Sequence, residues 1–278
     1  MRFIDCALDY LKKNSDELAP LTVRTYYWNL KKIALFDPGL ECENVTSETV
    51  RNFKHHLETL HNKEATVVKA LSVFRIFCNK MKVDGVIHGD PFENVKVGRA
   101  YSRRGFLTLR ELKHLYLSYM ESHVALTRAE DDVMRVFLFS CFTGLRYGDL
   151  QTLESSEIFD WKIRKQMHKT GEAVYIPIPV QARLLLPEPL MPGRVFHVID
   201  NASFNRTLRR AAQKLGVFKY LHCHLARHTF ATTCITIGIP LPATSKLLGH
   251  RNLDTTLIYA KYVDTFLDKE MKKFNRLK

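Results

Sequence analysis

Near its carboxyl end the chain reads GHRNLDTTLIYAKYVD, which sets Tyr259 nine positions after His250 and three before Tyr262. A tyrosyl oxygen can attack an electrophile and hold a covalent intermediate, although a lone tyrosine in TTLIYAKY reads first as a core aromatic. Four further groups share the second half of the chain with it. Arg146, in CFTGLRYGDL, follows a glycine that ends one helix and sits where the chain enters the next, so its planar fork could meet a phosphate with two hydrogen bonds. Lys169, in MHKTGE, lies in or beside a turn from which it could project into a groove. His224 and Arg227, in HCHLARHTF, stand three apart and share one helix face. His250 itself comes just after the glycine of KLLGHRN. Taken singly, each also has a bland reading: surface or packing arginine, solvent-facing lysine, core tyrosine.

His222, Cys223, His224 and His228 are all zinc-capable types, but no CxxC or HExxH accompanies them and adjacent helical residues point apart, so no metal site is expected. The six cysteines, Cys6, Cys42, Cys78, Cys141, Cys223 and Cys234, are scattered through apolar patterns, which suits a reducing cytoplasm. No stretch approaches the roughly 18 apolar residues of a spanning helix, and MRFIDCALDY lacks the pattern of a secretory signal.

The elements that must carry these groups are mostly helical. Apolar spacing near 3.6 predicts a first helix with Phe3, Ile4, Ala7, Leu8 and Leu11 on one face. A second, LTVRTYYWNLKKIALF, has Val23, Tyr26, Tyr27, Leu30 and Ile33 as its stripe and Arg24, Lys31 and Lys32 on the other side. A third runs from about Thr46, a capping residue, to Leu60 with Val50, Phe53 and Leu57 buried. The fourth places Val67, Ala70, Leu71, Phe74, Phe77, Cys78 and Met81 on one broad side before DG stops it. Residues 1–84 thus form a helical domain. Periodicity is then lost over residues 85–105, where Lys96, Arg99, Arg103 and Arg104 give a basic linker that could follow a phosphate backbone or merely solubilise a loop.

Residues 106–278 form the second domain. Thr108 with Glu111 makes a capping box, another apolar helix spans about Asp131 to Phe142 and ends at Gly144, and WKIRKQMH, KTGE and AVYIPIPV read as two strands around a turn. Pro177 and Pro179 imply that the last strand is an edge or leaves the sheet there. Helical patterns resume near Ala202. The expected fold class is mainly α, with a small antiparallel β-sheet in the second domain. Forty-two Lys and Arg against 29 Asp and Glu leave a formal charge of +13, interleaved with apolar residues, which favours nucleic acid over a membrane as partner.

The ordered set of polar groups, carried by TGLRYGDL, HLARHTFATT and LLGHRNLDTTLIYA, resembles the tyrosine recombinase family, also called phage integrases, which includes Xer-type resolvases and integrases of mobile elements. The resemblance spans roughly Thr108 to Tyr262. It implies that Arg146, Lys169, His224, Arg227, His250 and Tyr259 are catalytic, with Asp149 in support and Tyr259 rather than Tyr262 as nucleophile. It implies cleavage and rejoining of DNA through a 3'-phosphotyrosine, with no cofactor, on double-stranded core sites, in a synaptic assembly, tetrameric by the resemblance, that accessory proteins can join. By the same resemblance the helical domain clamps DNA opposite the catalytic one. The segment after Tyr262, with Val263, Phe266, Leu267 and Met271, suits a docking helix, in cis or on a neighbouring protomer.

Two departures from the family pattern stand out. There is no room ahead of Phe3 for an arm-binding domain, which implies either a protein that uses core sites alone or a chain that lacks its first domain. Ala226 stands where a larger apolar residue is common, which alters packing beneath Arg227 and leaves the reactive groups intact. Two other functions remain in view at this point: a type IB topoisomerase using the same phosphotyrosine chemistry, and a non-catalytic DNA-binding regulator on the same scaffold.

Overall fold

A computed structural model describes residues 1–98 and 105–260. Arg99, Arg103, Arg104, Tyr262 and the expected docking helix with Val263, Phe266, Leu267 and Met271 lie outside the described residues. The chain divides into two compact units, Met1–Arg103 and Arg104–Lys278. It is mainly α-helical, with one small antiparallel sheet in the second unit.

The first unit consists of α1 (Phe3–Lys13), α2 (Pro20–Phe36), α3 (Ser47–Thr59) and α4 (Glu64–Val83). Pro20 opens α2, where a missing amide hydrogen costs nothing, and Thr46 caps α3 in a reciprocal box with Thr49. Phe74 of α4 is the centre of the core, with ring centroids of Phe3 at 5.0 Å, Phe53 at 5.6 Å and Phe92 at 5.7 Å, all edge to face. Every apolar residue expected on the buried side of α4 is buried.

Two expected core positions are not enclosed. Leu8 is 37% exposed, because Phe3, Ala7 and Leu11 already define the buried line of α1. Tyr27 is 45% exposed, since the buried side of α2 runs through Leu30 and Ile33, with Val23 and Tyr26 half-buried beside it. Tyr27 instead joins Trp28, Arg24 and Lys31 on the exposed side, where the Lys31 ammonium sits 5.4 Å from the Trp28 ring centroid. Lys32 is half-buried and Lys96 exposed. Of the segment read as linker, residues 85–98 are described, and Ile87, Phe92 and Val95 are buried in this first core. The Val95 carbonyl accepts from the Arg75 guanidinium at 3.1 Å, so the packed unit continues past the stop at Gly85.

The second unit is built around α6 (Arg128–Thr143), preceded by α5 (Leu109–Ser122). Thr108 and Glu111 form the expected capping box on α5, and Thr127 with Glu130 forms another on α6, which therefore starts three residues earlier than its apolar pattern suggests. From Val136 to Cys141 every residue of α6 is buried, as befits a helix enclosed on all sides. After α7 (Tyr147–Gln151) come β1 (Ile158–Phe159), β2 (Lys162–Gln166) and β3 (Ala173–Pro177), in the order β1-β2-β3 and antiparallel throughout. β3 is an edge strand, as its prolines require, while β1 is too short for its alternation to be read from sequence. Then follow α8 (Val180–Arg183), α9 (Asn201–Lys214), α10 (Cys223–Thr236), α11 (Leu241–Leu248) and α12 (Asp254–Ala260). Within this unit α10 packs against α6, α11 and α12, so one helix touches the elements that carry the remaining polar groups. Among the described residues no helix is long and apolar enough to cross a membrane.

Candidate active site

The turn that carries Arg146 is forced by Gly144, which caps α6 at φ +72°. A Cβ on Gly144 would lie 2.4 Å from the Phe230 ring, so both the backbone conformation and the space demand glycine. Leu145 is then buried and Arg146 becomes the residue ahead of α7. Within the first turn of α7, Asp149 is 1% exposed, and its two oxygens go to different places. One accepts the Arg146 backbone N–H at 3.2 Å, the other the His168 backbone N–H at 2.9 Å. A single buried carboxylate thus ties the Arg146 turn to the hairpin turn that bears Lys169. The support that Asp149 gives thus runs through backbone amides.

Asp149→Asn should test that tie. An amide offers only one acceptor oxygen, and its NH2 would face an N–H donor, so one of the two bonds is lost and a donor pair is opposed. Stability is expected to fall by about 1–3 kcal/mol, read as a lowered denaturant midpoint at unchanged slope. Any chemistry that needs Arg146 and Lys169 together should fall as well, because both lose their common anchor. An unchanged midpoint would count against the tie.

Lys169 lies on the exposed turn between β2 and β3. This turn packs on the loop that follows α11: Thr170 donates to the Gly249 carbonyl at 3.4 Å, and Glu172 pairs with Arg251 at 2.9 Å. Gly249 has φ +59°, and a Cβ there would approach Val174 Cγ1 of β3 to 2.8 Å. Close approach at Gly249 therefore sets the Lys169 turn beside the His250 loop. The other lysine of the hairpin, Lys165, is buried and held by Glu157 at 2.8 Å and by the Thr152 carbonyl at 3.0 Å, a structural assignment.

Arg227 on α10 is 2% exposed, and its guanidinium donates to the carbonyls of Gly144, at 2.7 Å, and Leu248. These carbonyls end α6 and α11, so one cation staples together the loops leading to Arg146 and His250. Burial, then the charge of Arg146, pushes the Arg227 guanidinium down to about 9, with Tyr259 and Asp149 opposing; it remains a cation at neutral pH. Arg146 is half-buried and likewise lowered by burial, with Asp149 and Tyr259 opposing. One of its guanidinium nitrogens, Nη1, is buried without a hydrogen-bond partner. A buried, unpaired donor on a cation beside a second cation is a place where an anion would be stabilised.

His250 directs Nδ1 to the hydroxyl of Thr256 at 2.8 Å, and Thr256 is fully buried on α12 one turn ahead of Tyr259. Tyr259 is 3% exposed among Phe230, Ala231, Cys234, Ile235 and Leu248. Its hydroxyl lies 2.7 Å from Nδ1 of His228, itself 5% exposed. His224 is exposed, its ring 4.5 Å from that of His228 and edge to face with it.

Arg146, Asp149, Arg227 and Tyr259 therefore form one electrostatic cluster, and His250 joins it through Thr256. Lys169 is anchored at its edge by backbone. Arg24, Lys31, Lys32 and Lys96 belong to the first unit and are not part of this cluster. His228 and Thr256 were not singled out for this chemistry by sequence. The available signal was spacing: His228 is four residues after His224, on the same helix face. Among the described residues no group of three or more His, Cys, Asp and Glu could hold a metal ion.

Residues 106–265 match the model of the phage integrase family, and residues 2–97 match that of the phage integrase SAM-like domain. A tyrosine recombinase of Thermosipho africanus is 25% identical over 283 residues, covering 95% of this chain and 96% of its own. The tyrosine recombinase XerC of Oceanobacillus iheyensis is 26% identical, covering 92% and 90%. Among solved structures, a lambda integrase dimer bound to a COC' core site superposes with a TM-score of 0.73 at 18% identity, over 92% of this chain and 93% of that one. The Tn1549 transposon integrase in complex with transposon right end DNA does so with a TM-score of 0.80 at 14% identity, over 99% and 100%, which shows a shared fold. With both of its units matched, the chain belongs to the phage integrase family, the tyrosine recombinases.

Proposed function

We propose that this chain is a site-specific recombinase that cuts and rejoins double-stranded DNA at core sites, with Tyr259 as nucleophile. The observation that carries this reading is the clustering of the Tyr259 hydroxyl with two partly or fully buried arginines, one of which keeps an unpaired buried donor. Arg146 and Arg227 hold the non-bridging oxygens of the scissile phosphate and offset the charge that grows there. His250, oriented by Thr256, donates to the same phosphate. Lys169 reaches in from its turn and protonates the departing 5'-oxygen, a task for a side chain with reach and a transferable proton. His224 lines the exposed rim of the site. The phosphoryl bond energy is kept in the 3'-phosphotyrosine, so a 5'-hydroxyl of another duplex can reverse the step without ATP.

Residues 1–84, with Ile87, Phe92 and Val95 packed into their core, serve as the DNA core-binding domain, the rest of residues 85–105 as linker and residues 106–278 as catalytic domain. The exposed Arg24, Tyr27, Trp28 and Lys31 of α2, with Lys32 and Lys96, supply cations and aromatic faces for a phosphate backbone. The chain acts as part of a synaptic assembly of several protomers; lambda integrase has been seen as a tetramer bound to a Holliday junction. Six free cysteines support a reducing cytoplasm as its location.

Incubation of the wild-type chain with a library of nicked duplexes in the presence of a metal chelator should trap a covalent protein–DNA adduct. Peptide mapping is expected to find the nucleotide remnant on Tyr259, and sequencing the trapped DNA would define the core site. A remnant on any other residue overturns the assignment.

A further inference from the structure

We propose that His228 is the residue that takes the proton of Tyr259 during cleavage and returns it during rejoining. The inference rests on Tyr259 being the nucleophile and adds the destination of its proton. Geometry carries it: Nδ1 of His228 lies 2.7 Å from the Tyr259 oxygen, and both residues are almost wholly buried. A proton leaving a phenol in that enclosure has no direct route to bulk water, so a group within the cluster must accept it.

The neighbouring imidazoles are placed differently. Nδ1 of His250 is directed at Thr256, and the exposed His224 presents its ring to His228. In a neutral imidazole one ring nitrogen carries hydrogen and the other accepts. Acceptance at Nδ1 therefore puts the hydrogen of His228 on Nε2. In the forward step the Tyr259 O–H bond breaks and its oxygen bonds phosphorus as the bond from phosphorus to the 5'-oxygen breaks. The phenolic proton passes to Nδ1, leaving a cationic His228, and the 5'-oxygen takes a proton from Lys169. Rejoining runs the same transfers backwards, so neither proton nor electron pair is left unbalanced. The arriving phosphate brings negative charge into the cluster, which offsets the positive charge that His228 takes up with the proton.

The test compares single-turnover cleavage of an ordinary nicked substrate with that of one whose 5'-bridging oxygen is sulfur, a leaving group that needs no acid. His228→Phe should slow cleavage of both substrates by roughly 100- to 10,000-fold. Lys169→Ala should be slow on the first substrate and recover on the second. His228→Asn, which keeps a polar atom near Nδ1 but no basic nitrogen, should be nearly as slow as His228→Phe and guards against a mere packing defect. The idea is overturned if either His228 variant cleaves within tenfold of wild type, if either cleaves faster, or if the defect disappears on the sulfur substrate. Tyr259→Phe is run alongside: an adduct formed by that variant would sink the nucleophile assignment itself, whereas normal rates confined to the His228 variants would sink the proton transfer alone.

Discussion

Tyr259→Phe is expected to abolish the covalent DNA adduct while leaving a folded, DNA-binding protein. The phenyl ring keeps the buried position among Phe230, Ile235 and Leu248, so the packing loss is small. What goes is the hydroxyl and its bond to His228, a net cost of about 0.5–1.5 kcal/mol. On the proposed mechanism the reaction, in contrast, loses its nucleophile. Removal of such a group from a cooperative site typically costs 10,000-fold or more, roughly. The contrast between a slight shift in melting and an undetectable adduct is the signature to look for. Tyr262→Phe provides the rival arm, because spacing alone allowed either tyrosine, and it should form adduct at the wild-type rate. Adduct from Tyr259→Phe but not from Tyr262→Phe would reverse the assignment.

How much of this was legible beforehand depends on the range of the interactions concerned. Thr108 with Glu111, the stop at Gly144 and the turn around Lys169 are written in a few adjacent residues, and they appear where local chemistry puts them. The broad stripe of α4 is legible for the same reason, since a period near 3.6 needs no knowledge of what it packs against. Leu8 and Tyr27 sit beside the buried line of their helices, and only the neighbouring helices decide which flank is covered. Ile87, Phe92 and Val95 lie in an aperiodic stretch, so their burial depends wholly on partners distant in sequence.

The site divides along the same line. The candidate residues could be named from the three motif blocks and the MHKTGE turn, but not their connections. That Asp149 spends its oxygens on the amides of Arg146 and His168, or that Tyr259 meets His228 and not His224, is fixed by tertiary packing of α7 on the hairpin and of α12 on α10. Spacing placed His224 and His228 on one face, and nothing local distinguished the exposed ring from the enclosed one.

Arg227→Lys should damage cleavage severely, although it conserves formal charge. The guanidinium fork spans two carbonyls, those of Gly144 and Leu248, and a single ammonium on a flexible stem cannot hold both in the same geometry. One buried carbonyl left unpaired costs about 1–3 kcal/mol, and the loops to Arg146 and His250 lose their common staple. Charge is less secure too. The burial and the neighbouring Arg146 charge that lower this arginine would act on a lysine whose ordinary value is already lower, near about 10.4, and would weaken its hold on the proton. The variant should therefore melt earlier yet bind DNA, and at a temperature where it is fully folded its single-turnover cleavage should fall by about 100- to 1,000-fold, the usual effect of removing one donor from a charge-stabilising site. Raising the pH should not restore it, because deprotonation of the lysine only deepens the loss. Cleavage within tenfold of wild type under those conditions would show that a simple positive charge suffices at this position and that the fork has no special role.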